Sequence, residues 1–490
     1  MAEVNHGLHY VASAIHDRCC QKRWRPWKSM KKLQVTAAYD ESLIKEYDYD
    51  TEERALAAIS DAYDVYSDRD SWLSGAQRIE ILNRLAISIE SQVEDLALQA
   101  AREGGKPLRD SLVELRRAVN GVRVASAAIP HLVGHEIPMG INDKSLGRWA
   151  VTYREPRGVV LAISAFNHPF NLLVHQVVTA IAAGCPVVVK PASTTPMSCE
   201  SLVNMIHEAG LPRPWCQMIL TENEVTAKLV ADERVAFLTF IGSSNVGWML
   251  RSRLAPGASC ALEHGGVAPV ILDETTDLDD AVPLLTKGGF YHAGQVCVSV
   301  QRIYVHSSIQ GNFTRRLVAA AGALEVGDPT REETEVGPLI RPAEVDRVHE
   351  WVTEATKRGA QVLCGGKPLG KTTYAPTVLL NPPDDVRVST REVFGPIVCV
   401  YTYDDIEDAV RRANLEHAYF QAALFTNRLD RALDIGRRLH GMAVMINDHT
   451  AFRVDWMPFG GHRDSGLNLG GIEHSMRDMT IERMIVFRQR

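Results

Sequence analysis

The sequence predicts an α/β protein built from two doubly wound, Rossmann-like lobes and a small β-ribbon. Three observations support this prediction. Short apolar runs alternate with helical stretches from Val159 onward, and a second alternating set extends from about Val270 to Ile446. Residues 147–158 alternate like an extended ribbon. Apolar runs bounded by Gly and Pro are typical of parallel strands that are covered on both faces.

Helices are expected to lead into the first lobe. Residues 52–66 and 76–103 carry apolar positions at helical spacing, and a third helix is predicted from Leu108 to Ala127, after the motif GGKPL. In the first lobe, the predicted strands are GVVLAIS, PVVVK, WCQMIL and VAFLTF, and the predicted helices cover 170–183, 196–209 and 223–230. In the second lobe, the predicted strands are PVIL, RIYV, QVLC, IVCVY, QAALFT and AVMIN.

Composition and charge exclude several classes of protein. The chain has 490 residues, 46% of them hydrophobic, so two or three globular domains are expected. A net charge of -7 gives no basic footprint for nucleic acid. No apolar run reaches the roughly 18 residues that a membrane span needs. The opening stretch GLHYVASAI has no basic region before it, unlike a signal peptide. We therefore expect a cytoplasmic protein without a nucleic-acid or membrane partner.

The cysteines suggest neither a metal site nor a disulfide framework. There are nine, which is an odd number, and no CxxC pair occurs among them. No metal is predicted. Eight of the nine are interpreted as small buried side chains in a reducing compartment. Cys297 is the exception, because of the segment in which it lies.

Four short segments carry the residues suited to chemistry. A glycine turn after a strand is as often structural as phosphate-binding, a single cysteine is more often a core residue, and a single glutamate is usually a surface residue. The order and spacing of the four segments favour function over those alternatives. The segments are SAFNHP (164–169), FIGSSNVG (240–247), LEHGG (262–266) and GQVC (294–297).

Together, the four segments resemble the aldehyde dehydrogenase superfamily, with a match from about residue 50 to 488. Asn167 stands where the family has its oxyanion asparagine, and Lys190 follows 23 residues later, where the family has its ribose-binding lysine. Glu263 and Cys297, 34 residues apart, match the general base and the nucleophile. Further matches are EVFGP (392–396), PFGG (458–461) and Ser465-Gly466.

The resemblance implies oxidation of an aldehyde to a carboxylic acid through a thioester. Cys297 would attack the aldehyde, and the Asn167 amide and the Cys297 backbone N–H would stabilise the oxyanion. Glu263 would act as the general base that activates water to hydrolyse the thioester. The presence of Glu263 argues against transfer of the acyl group to coenzyme A, because relatives that do this lack the carboxylate.

The resemblance also implies a nicotinamide cofactor. Lys190 and Glu392 would hold the two riboses, and Phe394 would pack near the nicotinamide ribose. Gly242 and Ser243 would offer backbone N–H groups to the pyrophosphate at a helix N-terminus.

Two departures from the family pattern affect these expectations. Ser193 replaces a glutamate that favours NAD by binding the adenosine ribose, and a small serine removes repulsion toward a 2′-phosphate. NAD is still expected, with NADP as the alternative. Gln176 occupies a position where many relatives have a lysine of a proton relay, which makes that relay doubtful here.

Three side chains are candidates for binding the substrate. His168 follows the oxyanion asparagine, Arg117 lies on the helix after GGKPL, and Arg453 lies in the loop before PFGG. Two cations in one tunnel would select an aldehyde with an anionic tail. The combination of NHP, LEHGG and NDHTAFRVDWMPFGG resembles phosphonoaldehyde dehydrogenases, which act on phosphonoacetaldehyde or phosphonoformaldehyde. Lactaldehyde and semialdehyde dehydrogenases remain alternatives, as does a solvated role for each arginine.

The family further implies a domain order and an oligomer. A cofactor domain would comprise 1–133 and 156–262, and a catalytic domain 263–474. A ribbon at 134–155 and a tail at 475–490 would pair between subunits, which predicts a homodimer or homotetramer. Two alternatives are a catalytically silent structural member of the family and a nucleotide-binding module without aldehyde chemistry.

Overall fold

The computed structural model describes residues 31–415 and 417–488. The expectations about the opening segment, together with Cys19 and Cys20, lie outside these residues. The described part starts with an antiparallel hairpin of strands Lys32–Thr36 and Leu43–Asp48, which the sequence analysis did not predict. Val35 of this hairpin packs with Leu220 in a small cluster, so the hairpin is anchored to the first lobe.

The first lobe is built on a six-stranded sheet. Five neighbouring strands are parallel, and a short antiparallel strand forms one edge of the sheet. Across the sheet, the strands are Gly466–Leu467, Ser259–Glu263, Val235–Ile241, Val159–Ile163, Val187–Lys190 and Cys216–Met218. The longer helices of the lobe are Glu52–Ser67, Gly75–Glu90, Val93–Gly104, Leu108–Ala128, Pro196–Glu208, Asn223–Val230, Ser244–Arg251 and Ile472–Asp478.

One further helix of the first lobe is interrupted by a π-helical turn. Its parts are Asn171–Leu173, Val174–Val178 and Thr179–Ala183. Such turns shift the side chains that follow them onto a different face and recur at functional sites. The turn contains His175 and Gln176, both of which are buried.

The second lobe is built on a seven-stranded sheet that is parallel except at one edge. Across the sheet, the strands are Gln361–Cys364, Thr377–Leu380, Ile397–Tyr403, Arg302–His306, Pro269–Leu272, Gln421–Phe425 and Ala443–Ile446. Its helices are Leu278–Phe290, Ser307–Gly322, Pro342–Lys357, Arg387–Thr390, Ile406–Ala413 and Leu429–Arg438. The five inner strands are largely buried and most are rich in β-branched residues, as parallel sheets covered by helices require, whereas the two edge strands are partly exposed.

A three-stranded antiparallel ribbon completes the fold. Its strands are Glu136–Ile137, Arg148–Pro156 and Thr480–Arg488, with the long C-terminal strand on the outer edge. The ribbon and tail that were predicted to pair between subunits therefore pair with each other within one chain. A small separate pair, Ala418–Tyr419 with His462–Arg463, lies beside the second lobe.

Two boundaries differ from the sequence predictions. The helix expected over 76–103 is two helices, because the first ends at Glu90 and the second begins at Val93, after Gln92, whose backbone is not helical. The chain also returns to the first lobe before residue 474. Gly466–Leu467 joins the first sheet, and Ile472 is buried in the first core. In the described ranges, no helix is both long enough and apolar enough to cross a membrane.

Candidate active site

A cleft of about 540 Å³ lies where the carboxyl ends of the first sheet face the second lobe. Four strands of that sheet end at its wall, as is usual for ligand sites in parallel α/β sheets. All twelve predicted site residues line this cleft. They are Arg117, Asn167, His168, Lys190, Ser193, Gly242, Ser243, Glu263, Cys297, Glu392, Phe394 and Arg453.

Asn167 and Cys297 come from different lobes and are linked through Gln295. The Asn167 side chain is buried, and its Nδ2 donates to the carbonyl oxygen of Gln295 at 2.9 Å. An amide nitrogen carries two hydrogens, so one remains for a second acceptor. The carbonyl oxygen of Cys297 accepts from the Gly266 N–H at 3.1 Å, which fixes the backbone at the thiol. The arrangement can offer an amide donor beside a partly exposed sulfur.

The backbone before Cys297 follows an unusual path. His292 and Ala293 have φ of 49° and 53°, in the left-handed region that non-glycine residues rarely adopt. Such strain persists only where the surrounding structure holds it in place, and it clusters at active sites. The Gln295 side chain supports this segment by donating to the Pro338 carbonyl oxygen at 3.1 Å.

The protein interior raises the pKa values of both Cys297 and Glu263. Burial raises the pKa of the Cys297 thiol to about 12, although the charge of Arg453 opposes this shift. Burial likewise raises the pKa of the Glu263 carboxyl, again opposed by Arg453. Glu263 is the last residue of its strand, and its carboxylate lies against Gly470, where a Cβ would come within 2.2 Å of Oε1. A carboxyl with a raised pKa beside a thiol suits a general base.

Arg453 is a partly buried cation that forms no salt bridge within the described residues. Its guanidinium lies 3.5 Å from the centroid of the Phe459 ring, and its Nε has no hydrogen-bond partner in the described chain. One terminal nitrogen contacts His175 Nδ1 at 3.3 Å. Burial lowers the pKa of Arg453, while the charge of Glu263 opposes this change. An arginine nevertheless stays protonated in proteins, so this group is ready to receive an anion.

Arg117 is a compensated cation. It donates two hydrogen bonds to Asp455, at 2.7 and 3.2 Å. The same carboxylate accepts from His175 Nε2 at 2.8 Å and from Asn171 Nδ2 at 3.1 Å. Burial opposes the ionisation of Asp455, but these donors hold its pKa well below the usual range. Burial lowers the pKa of His175 to about 4, so this ring is neutral near pH 7.

His168 contributes hydrogen bonding rather than charge. Its Nε2 lies 3.1 Å from the hydroxyl of Tyr291. Burial, aided by the charge of Lys106, lowers the pKa of His168 well below its ordinary value. The tunnel was expected to be cationic if two of the three candidates converged. Arg117 and Arg453 do converge, but Asp455 offsets one of the two charges.

The opposite end of the cleft carries the predicted cofactor residues. Lys190 is the last residue of its strand. Its ammonium group donates one long hydrogen bond, to the Pro191 carbonyl oxygen at 3.4 Å. Burial lowers its pKa, and no other group affects that pKa. Ser193 and Ser243 are exposed at the cleft, and the Ser243 side chain makes no capping hydrogen bond.

The structure contradicts the predicted role of the Gly242 N–H. Its N–H, predicted to bind the pyrophosphate, donates to the carbonyl oxygen of Glu263 at 3.1 Å and so is already used within the sheet. Glycine is required here for packing, because a Cβ would lie 2.6 Å from the Phe240 ring. The donors left for an anion begin at Ser243.

Glu392 and Phe394 lie between Arg387–Thr390 and Ile397–Tyr403. Burial raises the pKa of the Glu392 carboxyl to about 8, with the charge of Arg347 opposing. Its Oε1 is buried without a hydrogen-bond partner among the described residues. The Phe394 ring meets Phe166 edge-on at a centroid distance of 5.9 Å.

Gln176 ties two strands to the interrupted helix. Its Nε2 donates to the carbonyl oxygens of Ile163 and Thr239, both at 3.2 Å, and its side chain is buried. It does not line the cleft, so its amide serves the packing of the first lobe.

Sequence reasoning missed four residues of this region: Asp455, His175, Tyr291 and Asn171. Asp455 lies inside a loop that was quoted for Arg453, and its signal was a single acidic residue two positions from that arginine. His175 and Asn171 lie in an apolar helical stretch, where a polar residue in a buried position was the available clue. Tyr291 had no signal beyond its proximity to Cys297.

The chain is similar to known proteins along most of its length. The model of the aldehyde dehydrogenase family matches residues 24–485. The 3-sulfolactaldehyde dehydrogenase of Priestia megaterium is 37% identical over 457 residues, which cover 93% of this chain and 95% of that protein.

Two solved structures share the fold along most of the chain. Aldehyde dehydrogenase 21 from Physcomitrella patens, in complex with the reaction product succinate, has a TM-score of 0.91 and 32% identity, covering 94% of this chain and 96% of that one. The glyceraldehyde-3-phosphate dehydrogenase GapN of Methanocaldococcus jannaschii, complexed with NADP, has a TM-score of 0.89 and 33% identity, covering 94% and 100%. The chain therefore belongs to the aldehyde dehydrogenase family of oxidoreductases.

Proposed function

We propose that this protein oxidises a short aldehyde with an anionic tail to the carboxylate, through a thioester on Cys297. The observation that carries the proposal is the position of Arg453, a partly buried cation that forms no salt bridge within the described residues, in the same cleft as Cys297 and Glu263. A catalytically silent protein would not need the three groups together in an open cleft.

The first step of the proposed mechanism is addition of Cys297 to the aldehyde carbonyl. The thiol is neutral at rest because burial raises its pKa to about 12. The proton must therefore leave as the sulfur attacks, and Glu263 is the carboxylate in the cleft that can take it. The oxyanion of the thiohemiacetal would then accept from the free hydrogen of the Asn167 amide.

The second step releases the acid. A bound nicotinamide would supply the acceptor for the hydride of the thiohemiacetal carbon, so that the acyl group would remain on the Cys297 sulfur as a thioester. Glu263 releases the thiol proton to solvent, and its carboxylate then takes a proton from a water molecule. The hydroxide attacks the thioester carbon, the C–S bond breaks, and the proton of the new carboxylic acid passes to the sulfur, which frees the carboxylate and the thiol. The raised pKa of Glu263 makes it a stronger base than an exposed glutamate.

The groups at the cofactor end fit a dinucleotide. Glu392 Oε1 is a buried acceptor without a partner among the described residues, which the hydroxyls of a ribose would satisfy. Lys190 offers a second ribose contact, and Ser243 stands at the start of a helix. Ser193 carries no charge, so the site admits NADP as well as NAD. The structure of the relative with NADP supports this wider choice.

The charge balance of the substrate end favours a monoanion. Arg117 and Arg453 are cationic, Asp455 is anionic, and the lowered pKa values keep His168 and His175 neutral. The net charge of this group is therefore a single positive charge. A buried charge without a partner is costly, so a tail with one negative charge, such as a sulfonate or carboxylate, matches best.

A phosphonate is the second candidate tail. The motifs of the sequence resemble phosphonoaldehyde dehydrogenases, and Tyr291 with His168 could supply further hydrogen bonds. The relatives support an anionic tail in general, since their names or ligands include a sulfonate, a phosphate and succinate.

A steady-state assay of cofactor reduction tests the proposal. The panel is sulfoacetaldehyde, phosphonoacetaldehyde, succinic semialdehyde, lactaldehyde and propanal, each with NAD and with NADP. We expect kcat/KM for sulfoacetaldehyde to exceed that for propanal by about 100-fold, because a charged hydrogen bond contributes about 1.5–3 kcal/mol. Equal values across the panel would exclude selection of an anionic tail. No cofactor reduction with any aldehyde would refute the enzymatic function itself.

The Asp455→Asn variant separates the two candidate tails. It removes the compensating carboxylate while keeping the shape of the side chain, so the substrate end gains a positive charge. The ratio of kcat/KM for phosphonoacetaldehyde to that for sulfoacetaldehyde should rise in this variant. An unchanged ratio would contradict the charge argument.

The proposal includes a homodimer or homotetramer. The outer strand of the ribbon exposes consecutive apolar side chains from Met484 to Phe487, and Phe487 stacks on exposed Trp149 at 5.0 Å between centroids. An apolar edge strand of this kind pairs with another chain unless it is protected. Light scattering after size exclusion would contradict this if it showed only a monomer.

A further inference from the structure

The GGKPL motif contributes a fully buried ion pair. Lys106, in the turn after helix Val93–Gly104, donates to Glu114 Oε2 on helix Leu108–Ala128. The two residues are 0% and 1% exposed. Removing two charges from water costs more than their attraction returns unless other hydrogen bonds satisfy them. The remaining partners of Glu114 are therefore informative.

The other carboxylate oxygen of Glu114 holds the segment that carries Asn167. Its Oε1 accepts from the backbone N–H groups of Phe170 and Asn171, both at 2.9 Å. The first N–H groups of a helix have no partner within the helix, so this carboxylate supplies the missing cap. Asn167 lies three residues before Phe170. At the other end of the same loop, the Ser164 N–H donates to the Lys190 carbonyl oxygen at 3.0 Å.

A second buried glutamate caps the start of a helix on the cofactor side of the cleft. Glu103, 1% exposed, accepts from the Met197 and Ser198 N–H groups at 3.0 and 2.9 Å, at the start of helix Pro196–Glu208. That helix follows the loop that carries Ser193. Glu103 forms no salt bridge in the described ranges, whereas Glu114 is paired with Lys106. The fold therefore offers two comparable caps on two functional loops.

We propose that Glu114, paired with Lys106, is a positioning residue that sets the Asn167 amide for the oxyanion, whereas Glu103 positions the cofactor loop. The inference rests on the proposed function of Asn167. Glu114 does not line the cleft, so its effect on the reaction would pass through the loop 164–170. Because oxyanion donors work only when they are held within a fraction of an ångström, a small displacement of this loop reduces the rate of the chemical steps.

A double-mutant cycle of Glu114→Gln with Asn167→Ala tests the proposal. Glu114→Gln should lower kcat by about 10–100-fold, while the Kd of the reduced cofactor, measured by fluorescence titration without aldehyde, stays unchanged. In the Asn167→Ala background, the same substitution should change kcat by less than about twofold, because its effect passes through Asn167. An equal loss in both backgrounds would overturn the proposal.

Glu103→Gln is the matched control. It removes the charge from the other cap and should weaken cofactor binding by about 3–10-fold, with a smaller change in kcat at saturating cofactor. If both variants weakened cofactor binding equally, the division of roles would be wrong. Should Glu114→Gln not fold, Glu114→Asp, which keeps the charge but shortens the reach, takes its place in the cycle.

A cofactor-free readout separates this proposal from the proposed function. Each Cys297 thiol that reacts with p-nitrophenyl acetate gains one acetyl group and releases one nitrophenol. The burst rate therefore reports on the sulfur and its oxyanion donors without any aldehyde. Coupling of Glu114 and Asn167 in this burst would support the positioning role even if no aldehyde were oxidised. Additive effects in the burst would refute it even if aldehydes were oxidised.

Discussion

The Asn167 side-chain amide donates to the main-chain carbonyl oxygen of Gln295 at 2.9 Å, and this bond links the first lobe to the segment of Cys297. The amide is thereby oriented by the protein before any substrate binds. A donor oriented in advance needs no reorganisation when negative charge develops on the substrate oxygen. The hydrogen bond helps to bring Asn167 and Cys297, 130 positions apart in the chain, into one cleft.

Loss of the Asn167 amide should slow the reaction strongly. Asn167→Ala is expected to lower kcat by about 100–1,000-fold, because it removes one oxyanion donor. Stopped-flow measurement of cofactor reduction checks this value. The control is Asn312→Ala, a substitution of an exposed asparagine on helix Ser307–Gly322, which should leave kcat unchanged. A decrease of less than about tenfold would argue against oxyanion stabilisation by this side chain.

Alkylation of Cys297 should accelerate with pH over a wide range. Because the thiol pKa is about 12 without ligands, the thiolate fraction rises about tenfold per pH unit below that value. The rate of carboxymethylation by iodoacetamide should therefore increase without a plateau between about pH 7 and pH 10. The Cys297→Ser variant gives the background from other thiols. A plateau near pH 8 would show that the thiol pKa is not raised.

Arg453 should determine the preference for anionic aldehydes. Arg453→Leu is expected to lower kcat/KM for sulfoacetaldehyde by about 10–100-fold and to change that for propanal much less, because only the former loses a charged hydrogen bond. Arg331→Leu, at an exposed arginine, is the control. Equal losses for both aldehydes would indicate a structural role for Arg453.

Glu155 should make ribbon stability depend on pH. It accepts from Arg69 at 2.9 Å and from Arg483 of the outer strand at 2.8 Å. Hydrogen bonds from Arg69 and Arg483 outweigh burial and lower its pKa to about 2. A lowered pKa stabilises the fold above the ordinary value of 4.5, and this stabilisation is lost as pH falls toward 2.

Glu155→Gln should accordingly lower Tm at neutral pH, and the difference from the wild type should shrink as the pH is lowered toward 3. Differential scanning calorimetry measures both values. Glu482→Gln removes a more exposed carboxylate of the same ribbon, 4.0 Å from Arg154, and should have a small effect at either pH. A Tm difference that does not depend on pH would contradict the assignment.

Much of the fold and most of the residues that line the cleft could be predicted from the sequence, because strand patterns and motif spacing are local signals. The apolar runs at Val159–Ile163 and Ile397–Tyr403 are buried strands as expected. The short strand Gly466–Leu467 was not predictable, because two residues carry no periodicity and its place depends on a partner 200 positions away. The use of the Gly242 N–H within the sheet likewise depends on the neighbouring strand.

The ion pair that offsets the charge of Arg117 could also not be predicted from the sequence. Its partner, Asp455, lies 338 residues away, and nothing in either segment shows that the two meet. A motif can thus bring candidate cations to one cleft, but their net charge depends on tertiary contacts. This is why the sequence indicated an anionic tail, whereas the preference for a single negative charge needed the structure.

We propose that oxidation proceeds through an acyl group on Cys297, which Glu263 helps to hydrolyse. Intact-protein mass spectrometry of Glu263→Gln, mixed with sulfoacetaldehyde and cofactor, tests it most directly. We expect one acyl group per chain, located on Cys297, with a matching burst of reduced cofactor and steady turnover slowed by about 100–10,000-fold. Undiminished turnover without any acyl adduct would contradict the account.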